Sequence, residues 1–230
     1  MKENIKIVQH GSGTFSDRSH AGKMLAEALK DYDLEDPLIL GIPRGGVVVA
    51  EEVADSLGSQ LDIVLSSKLA APVNPELAIG AVSETGKVFM DPRLSSREWP
   101  EGYIESEKRE KMGKIERRRE IFRKARPKAR MEGRTLVVVD DGLATGSTME
   151  AALWGARQER PSKLIAAVPV ASESALGRIS EAADQVLCVR LPSLFMAVSQ
   201  FYANFPQTTD EEVIEILKKA STKEKKGNGP

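Results

Sequence analysis

The chain has 230 residues, 41% of them hydrophobic, and its 33 basic and 34 acidic side chains leave a formal net charge of -1. That length suits one core with an attached flap, and the charge balance excludes a wholly basic nucleic-acid binder and a disordered acidic chain. The single cysteine, Cys188, rules out an internal disulfide, and with only His10 and His20 beside it no ordinary zinc site can be assembled. A reducing compartment fits that cysteine usage. No apolar run approaches the roughly 18 residues of a membrane span, and the first residues lack the uncharged stretch of a signal peptide. A cytoplasmic protein is expected.

Residues 1–14 read as a loose lead-in around Gly11-Ser12-Gly13. Residues 19–30 carry Ala21, Met24, Leu25, Ala28 and Leu29 at helical spacing. Residues 37–42 are apolar on both faces, as central parallel strands are, and run into Pro43-Arg44-Gly45-Gly46. A helix over 47–57 closes on Gly58, and 61–66 forms the next strand. Residues 68–80 contain Pro72, Asn74 and Pro75 and read as a mobile loop. Weaker strand signals follow at 81–82 and 87–90.

Residues 104–131 hold 12 Lys or Arg against 5 Glu and read as a long helix ending before Pro127. The pairs Glu105–Arg109, Glu107–Lys111 and Glu110–Lys114 have favourable i,i+4 spacing. This interleaving favours a solvated helix or dimer flap over a nucleic-acid grip. Further strands are expected at 135–140, 163–170 and 185–191. Further helices are expected at 148–159, 173–182 and 210–219, the last capped by Thr209. Residues 221–230 read as a disordered tail. The alternation predicts the α/β class, an open and mostly parallel sheet flanked by helices. One domain over 1–220 would include the basic flap at about 104–131 and a hood at about 192–206.

The strongest chemical signal is the strand Leu136-Val137-Val138-Val139 followed by Asp140-Asp141-Gly142-Leu143-Ala144-Thr145-Gly146-Ser147-Thr148. Two carboxylates stand at a strand's C-terminal end, where open α/β sheets bind ligands. A loop of small residues then opens a helix, whose free N–H groups and dipole make an anion site. Carboxylates would repel a phosphate held there unless something lies between them, and a ribose 5-phosphate resolves this with its hydroxyls on the acids and its phosphate in the loop. The competing reading is an ordinary strand-to-helix turn with an aspartate cap. A Walker loop and a Gly-x-Gly-x-x-Gly fingerprint are both missing. About 95 residues earlier, Pro43-Arg44-Gly45-Gly46 also joins a strand to a helix, with glycines for close approach and a guanidinium suited to phosphate oxygens.

The 136–148 segment resembles the ribose-phosphate signature of the type I phosphoribosyltransferases. Phe15-x-Asp17-Arg18, Ala21-Gly22, Pro43-Arg44-Gly45-Gly46, residues 75–82 and Phe201-Tyr202 are similar to a bacterial subfamily of that family over nearly the whole chain. The resemblance implies transfer from phosphoribosyl pyrophosphate to a nitrogenous base with Mg²⁺, in nucleotide salvage. It implies that Gly142, Leu143, Ala144, Thr145, Gly146, Ser147 and Thr148 hold the ribose 5-phosphate and that Pro43 to Gly46 hold the pyrophosphate, with a peptide between Pro43 and Arg44 that is cis or can become so. The catalytic residues would be Asp140, Asp141, Arg44 and Lys68, with loop 68–80 closing over the reaction. In that subfamily an Arg often precedes the loop lysine, and here Ser67 stands there. The metal would have no dedicated protein cage. The base would lie near Val170 and under the 192–206 hood, with Phe195 as a contact, and the competing reading of that hood is plain core. Ala144 stands where oxopurine-salvage relatives carry an Asp, so the base would be held differently from theirs. The main alternative is a non-catalytic regulator that senses phosphoribosyl pyrophosphate and binds nucleic acid through the basic helix. A homodimer is left open.

Overall fold

The computed structural model describes the chain except Met1, Ser12, Ser95, Ser96 and residues 228–230. In chain order it forms β1 (Ile5–His10), α1 (Arg18–Leu29), β2 (Pro37–Gly41), α2 (Gly45–Leu57), β3 (Gln60–Ile63), β4 (Ser66–Ala71), β5 (Asn74–Ser83), β6 (Val88–Met90) and α3 (Tyr103–Ala125). It continues through β7 (Thr135–Val139), α4 (Ser147–Arg157), β8 (Lys163–Val170), α5 (Glu173–Ile179), β9 (Gln185–Leu191) and α6 (Asp210–Gly227). Six strands make one parallel sheet in the order β1-β9-β8-β7-β2-β3. β7 lies near its middle and all five of its residues are buried, which is why it reads as an unbroken apolar run. One face of the sheet packs on α1, α2, α3 and α6, and the other on α4 and α5. The expected open, mostly parallel sheet is what the chain forms. Among the described residues no helix is long and apolar enough to cross a membrane.

Three elements depart from expectation. The lead-in contains β1, an edge strand paired with β9 from Ile5–Val186 to His10–Leu191. Ile5 and Ile7 pack on the core beneath α5, and that alternation is too short to stand out from the polar residues around it. The loop expected at 68–80 is instead most of a β-hairpin, in which β4 and β5 pair antiparallel from Ser66–Ser83 to Ala71–Asn74 with register shifts at Ala70. Pro72 and Val73 form its tip, and Val73 is 95% exposed. The prolines therefore punctuate a turn rather than break the whole segment. The tail expected from 221 is helical to Gly227. Ser221 donates to the Ala125 carbonyl at 3.4 Å and Lys223 reaches Asp55 at 2.6 Å, so this turn is anchored; residues 228–230 lie outside the described residues.

β6 adds to the hairpin and makes a three-stranded antiparallel sheet above the main one. Gly80 is essential to that addition, because a Cβ there would collide with the Phe89 carbonyl of β6. Backbone cannot swing aside as a flexible side chain does. Gly80→Ala is expected to cost about 1–3 kcal/mol and to separate β6 from β5. A urea transition with an unchanged midpoint would count against this.

The basic helix ends at Ala125, just before Pro127, and is packed rather than detached. Ile115 and Phe122 are buried in the core shared with α6. The Tyr103 hydroxyl donates to the Ala70 carbonyl at 2.9 Å, which ties the helix start to the hairpin. The Glu107–Lys111 and Glu110–Lys114 pairs form, at 3.0 and 2.7 Å. At the other end Arg123 donates to Asp62 at 2.6 Å and to both oxygens of Glu84 at 2.8 and 2.9 Å. Asp62 is 0% exposed and also accepts from the Ala129 N–H at 2.8 Å.

Candidate functional site

The helices that follow β2 and β7 leave to opposite faces of the sheet: α2 joins α1 and α6, whereas α4 joins α5. Adjacent parallel strands whose helices diverge open a crevice at their carboxyl ends, the usual ligand position in such sheets. β2 and β7 are direct neighbours, paired from Pro37–Thr135 to Gly41–Val139. The two segments singled out in the sequence therefore meet across one crevice.

Their contact explains the paired glycines. A Cβ on Gly45 would collide with the Asp141 Oδ2. On Gly46 it would lie 2.7 Å from the Val139 carbonyl and 2.9 Å from the Asp140 Cα. These glycines make room for the carboxylate pair, beyond any role toward a ligand. The Pro43–Arg44 peptide is cis. Arg44 is the N-cap of α2 and makes no side-chain cap bond; its guanidinium lies toward Asp210 of α6, 3.9 Å away.

On the β7 side, Gly146 caps α4 with φ +75°, a conformation that favours glycine. Thr145 Oγ1 and Ser147 Oγ lie 3.2 Å apart, and the cap residue offers the helix no side-chain bond. The loop is held from β8: the Leu143 N–H donates to the Val170 carbonyl at 2.9 Å, and Ser172 Oγ donates to the Ala144 carbonyl at 2.7 Å. This leaves Ala144, Thr145 and Thr148 exposed or nearly so on a braced backbone.

Asp140 and Asp141 stand between the two loops. The Asp141 N–H donates to Asp140 Oδ1 at 2.9 Å. Arg18 Nε donates to Asp141 Oδ2 at 2.8 Å, and the Tyr202 hydroxyl donates to the Asp141 carbonyl at 2.6 Å. Burial pushes the Asp140 carboxyl well above the usual carboxylate range, and the neighbouring Asp141 charge adds to it. Burial also raises Asp141, while the Arg18 guanidinium draws it back. Arg18 is itself fixed: it donates to the Pro206 carbonyl at 2.7 Å and lies 3.7 Å over the Phe205 ring. In the sequence Arg18 and Tyr202 stand out only as members of motifs, with no role attached to either. The available signal was a lone Arg at a helix start and an aromatic run after the last strand.

Other expected site residues are not brought together. Lys68 lies on β4 opposite Ala81. Val170 is 0% exposed and its carbonyl accepts from the Leu143 N–H, so it braces the loop from beneath. Much of the hood is core, as the competing reading held: Phe201 and Tyr202 are buried, with Tyr202 ringed by Phe15 at 5.3 Å and Phe205 at 4.8 Å. Phe195 stacks on Phe201 at 5.1 Å, while Leu194 and Met196 are 70% and 80% exposed. Cys188 is buried in β9, and burial pushes its thiol up to about 12, so it stays protonated and unreactive.

Among the described residues no group of three or more His, Cys, Asp or Glu could hold a metal ion. The Asp140–Asp141 pair nonetheless fits a divalent ion that draws most ligands from substrate and water. Both carboxyls are held above their ordinary range by burial, and a cation would relieve that.

Residues 18–206 match the phosphoribosyl transferase domain family. Two curated relatives, from strains CDC 1551 / Oshkosh and H37Rv of Mycobacterium tuberculosis, carry provisional names as phosphoribosyl transferases. Each is 41% identical over 207 residues, or 90% of this chain and 47% of the relative. The chain thus spans about half the length of these relatives. The crystal structure of TT1426 from Thermus thermophilus is 47% identical and superposes with a TM-score of 0.86, covering 90% of this chain and 98% of that one.

Proposed function

The chain belongs to the phosphoribosyl transferase domain family, and on that premise we propose that it transfers the ribosyl phosphate of phosphoribosyl pyrophosphate to a nitrogenous acceptor. The observation that carries this reading is the carboxylate pair set between two uncapped helix starts across one crevice. Thr145, Gly146, Ser147 and Thr148 take the 5-phosphate at the α4 start. Asp140 and Asp141 hold the ribose hydroxyls. Pro43 to Gly46 face the pyrophosphate.

In the reaction the acceptor nitrogen forms a bond to C1 as the C1–oxygen bond to pyrophosphate breaks. The leaving group keeps the electron pair, and the acceptor proton passes to solvent. Positive charge grows at C1, so the carboxylates lower the barrier. A unit charge about 5 Å away at an effective dielectric of about 20 contributes about 3 kcal/mol, roughly a hundredfold in rate. Arg18 holds Asp141 Oδ2 in place and favours its ionised form against the effect of burial. Mg²⁺, held by Asp140 and Asp141 with substrate oxygens and water, would neutralise the departing pyrophosphate. The β4–β5 hairpin closes over the donor and excludes water. With the Val170 carbonyl occupied, the acceptor rests against the exposed 194–196 segment, and stacking there would discriminate weakly between bases.

The test mixes the protein with donor, Mg²⁺ and each base of a purine and pyrimidine panel and follows pyrophosphate release. Hydrogen exchange on residues 66–83 should slow when donor and Mg²⁺ are added. Release with no base in the panel, together with tight donor binding, would shift the reading to a donor-sensing regulator. Absence of donor binding would remove both.

A further inference from the structure

A cavity of about 560 Å³ opens between α2 and α6, on the face of the sheet that also carries α1. Small-ligand sites span about 300–1,000 Å³. The start of α1 and the segment 204–208 complete its wall. No residue of the two loops that meet at the crevice, 43–46 and 140–148, lines it, so it is separate from the site described above. Arg18 belongs to the wall, but its charge is countered by Asp141 at 2.8 Å.

The wall carries five carboxylates against two cations. Glu211 and Glu215 stand one turn apart on α6, a spacing of about 5–6 Å between Cβ atoms, and Glu51 comes from α2. Among the described residues neither Glu51 nor Glu211 forms an ion pair. Burial holds the Glu51 carboxyl above its ordinary range, although Lys219 draws it back. Glu215 has only Lys218, at 2.9 Å on open surface, a pair that contributes little. Between the acids the lining is apolar, with Val48 on α2 and Ile216 on α6. A second observation does not depend on charge. Thr208 lines the same cavity and is 6% exposed, yet its hydroxyl has no hydrogen-bond partner among the described residues. The oxygen is not sealed inside the protein either. A hydroxyl withdrawn from bulk water and left unpaired is costly, and a ligand in the cavity would complete it.

We propose that this cavity binds a linear aliphatic polyamine, with ammonium groups on Glu211, Glu215 and Glu51, the methylene chain on Val48 and Ile216, and one N–H on the Thr208 hydroxyl. Two ammonium groups on a three- or four-carbon chain match carboxylates one helical turn apart. A divalent metal ion instead needs its oxygens gathered into one shell, and among the described residues no three acids are so gathered. The apolar lining suits methylenes that run between charged ends and offers nothing to a hydrated ion. An anionic ligand would be repelled by the excess of carboxylates. The inference does not depend on the phosphoribosyl-donor reading.

The experiment titrates the full chain calorimetrically with spermidine, butylamine and magnesium chloride, each at about 0.1 M salt, where exposed charges more than about 10 Å apart are largely screened. Wild type is compared with E211Q/E215Q and with T208V, which keeps every charge and nearly the same shape. Both changes should leave the fold intact, since Glu211 and Glu215 are exposed and the Thr208 hydroxyl is unpaired; circular dichroism and thermal unfolding check this. Wild type should bind one spermidine per chain, more tightly than butylamine or magnesium. E211Q/E215Q should weaken spermidine at least about tenfold, and T208V should weaken it several-fold. Magnesium bound as tightly as spermidine would reduce the cavity to a patch of acidic charge and overturn the proposal. Unchanged spermidine affinity in T208V or in E211Q/E215Q overturns it as well, as does a wild type that shows no saturable spermidine binding.

Discussion

Arg123→Met is expected to destabilise the protein by about 3–5 kcal/mol, the usual cost of removing one partner from a buried ion network. The guanidinium serves Asp62, both oxygens of Glu84 and the Ile63 carbonyl. The two acids are 0% and 7% exposed. Truncation leaves two carboxylates in the interior with less compensation. Asp62 keeps the Ala129 N–H and Glu84 keeps Lys128 at 3.4 Å, but neither replaces a bidentate fork. At about 2–4 °C per kcal/mol for a chain of this size, the melting temperature should fall by about 10 °C. Urea unfolding at neutral pH measures the loss, and a value below about 1 kcal/mol would mean that water already screens the network. The same variant should release the end of α3, so exchange at residues 114–118 should quicken before global unfolding.

What could be read from the sequence follows how local each signal is. The burial of β7 is written in consecutive letters from Leu136 to Val139, and the acids, loop and helix start follow without a break. The crevice was therefore legible from one segment, and Pro43 to Gly46 could be placed opposite it through strand alternation. Arg18 was not, because its partner Asp141 lies 123 positions away; nothing near either residue records the pairing. Tyr202 is 61 positions from Asp141 and sits in an aromatic run that reads equally well as core or as a hood. The hairpin was missed for a different reason. Small residues such as Ala70, Ala71, Ala78 and Ala81 give weak strand propensity, while Pro72 and Pro75 give strong turn signals. The cations of α3 are visible as charge, but the direction in which each faces depends on helix rotation, and that is set by contacts of Ile115 and Phe122 with distant elements.

Asp140→Asn is expected to stabilise the ligand-free protein at pH 7 while weakening donor binding and turnover. The folded state holds the Asp140 carboxyl well above its ordinary range because it is buried beside another carboxylate. Between the unfolded value near 3.9 and that raised value, the folded protein binds more protons than the unfolded chain. The group's contribution to stability is therefore fully present below the unfolded value and is lost as pH rises through the folded one. At pH 7 the wild type carries that loss and the Asn variant does not. The variant should therefore be more stable than the wild type at pH 7 and hardly different from it near pH 4. Asn keeps the oxygen that accepts the Asp141 N–H, so the loop need not rearrange. Toward the donor the sign reverses. The charge that destabilises the empty site is the one that holds the ribose and its ion and offsets positive charge at C1. Its removal should cost at least about tenfold in donor affinity and up to about a hundredfold in turnover. Unfolding at pH 4 and pH 7, paired with donor titration, decides the matter. An equal gain at both pH values would place the effect outside the carboxyl's titration. Unchanged donor binding would remove Asp140 from the site.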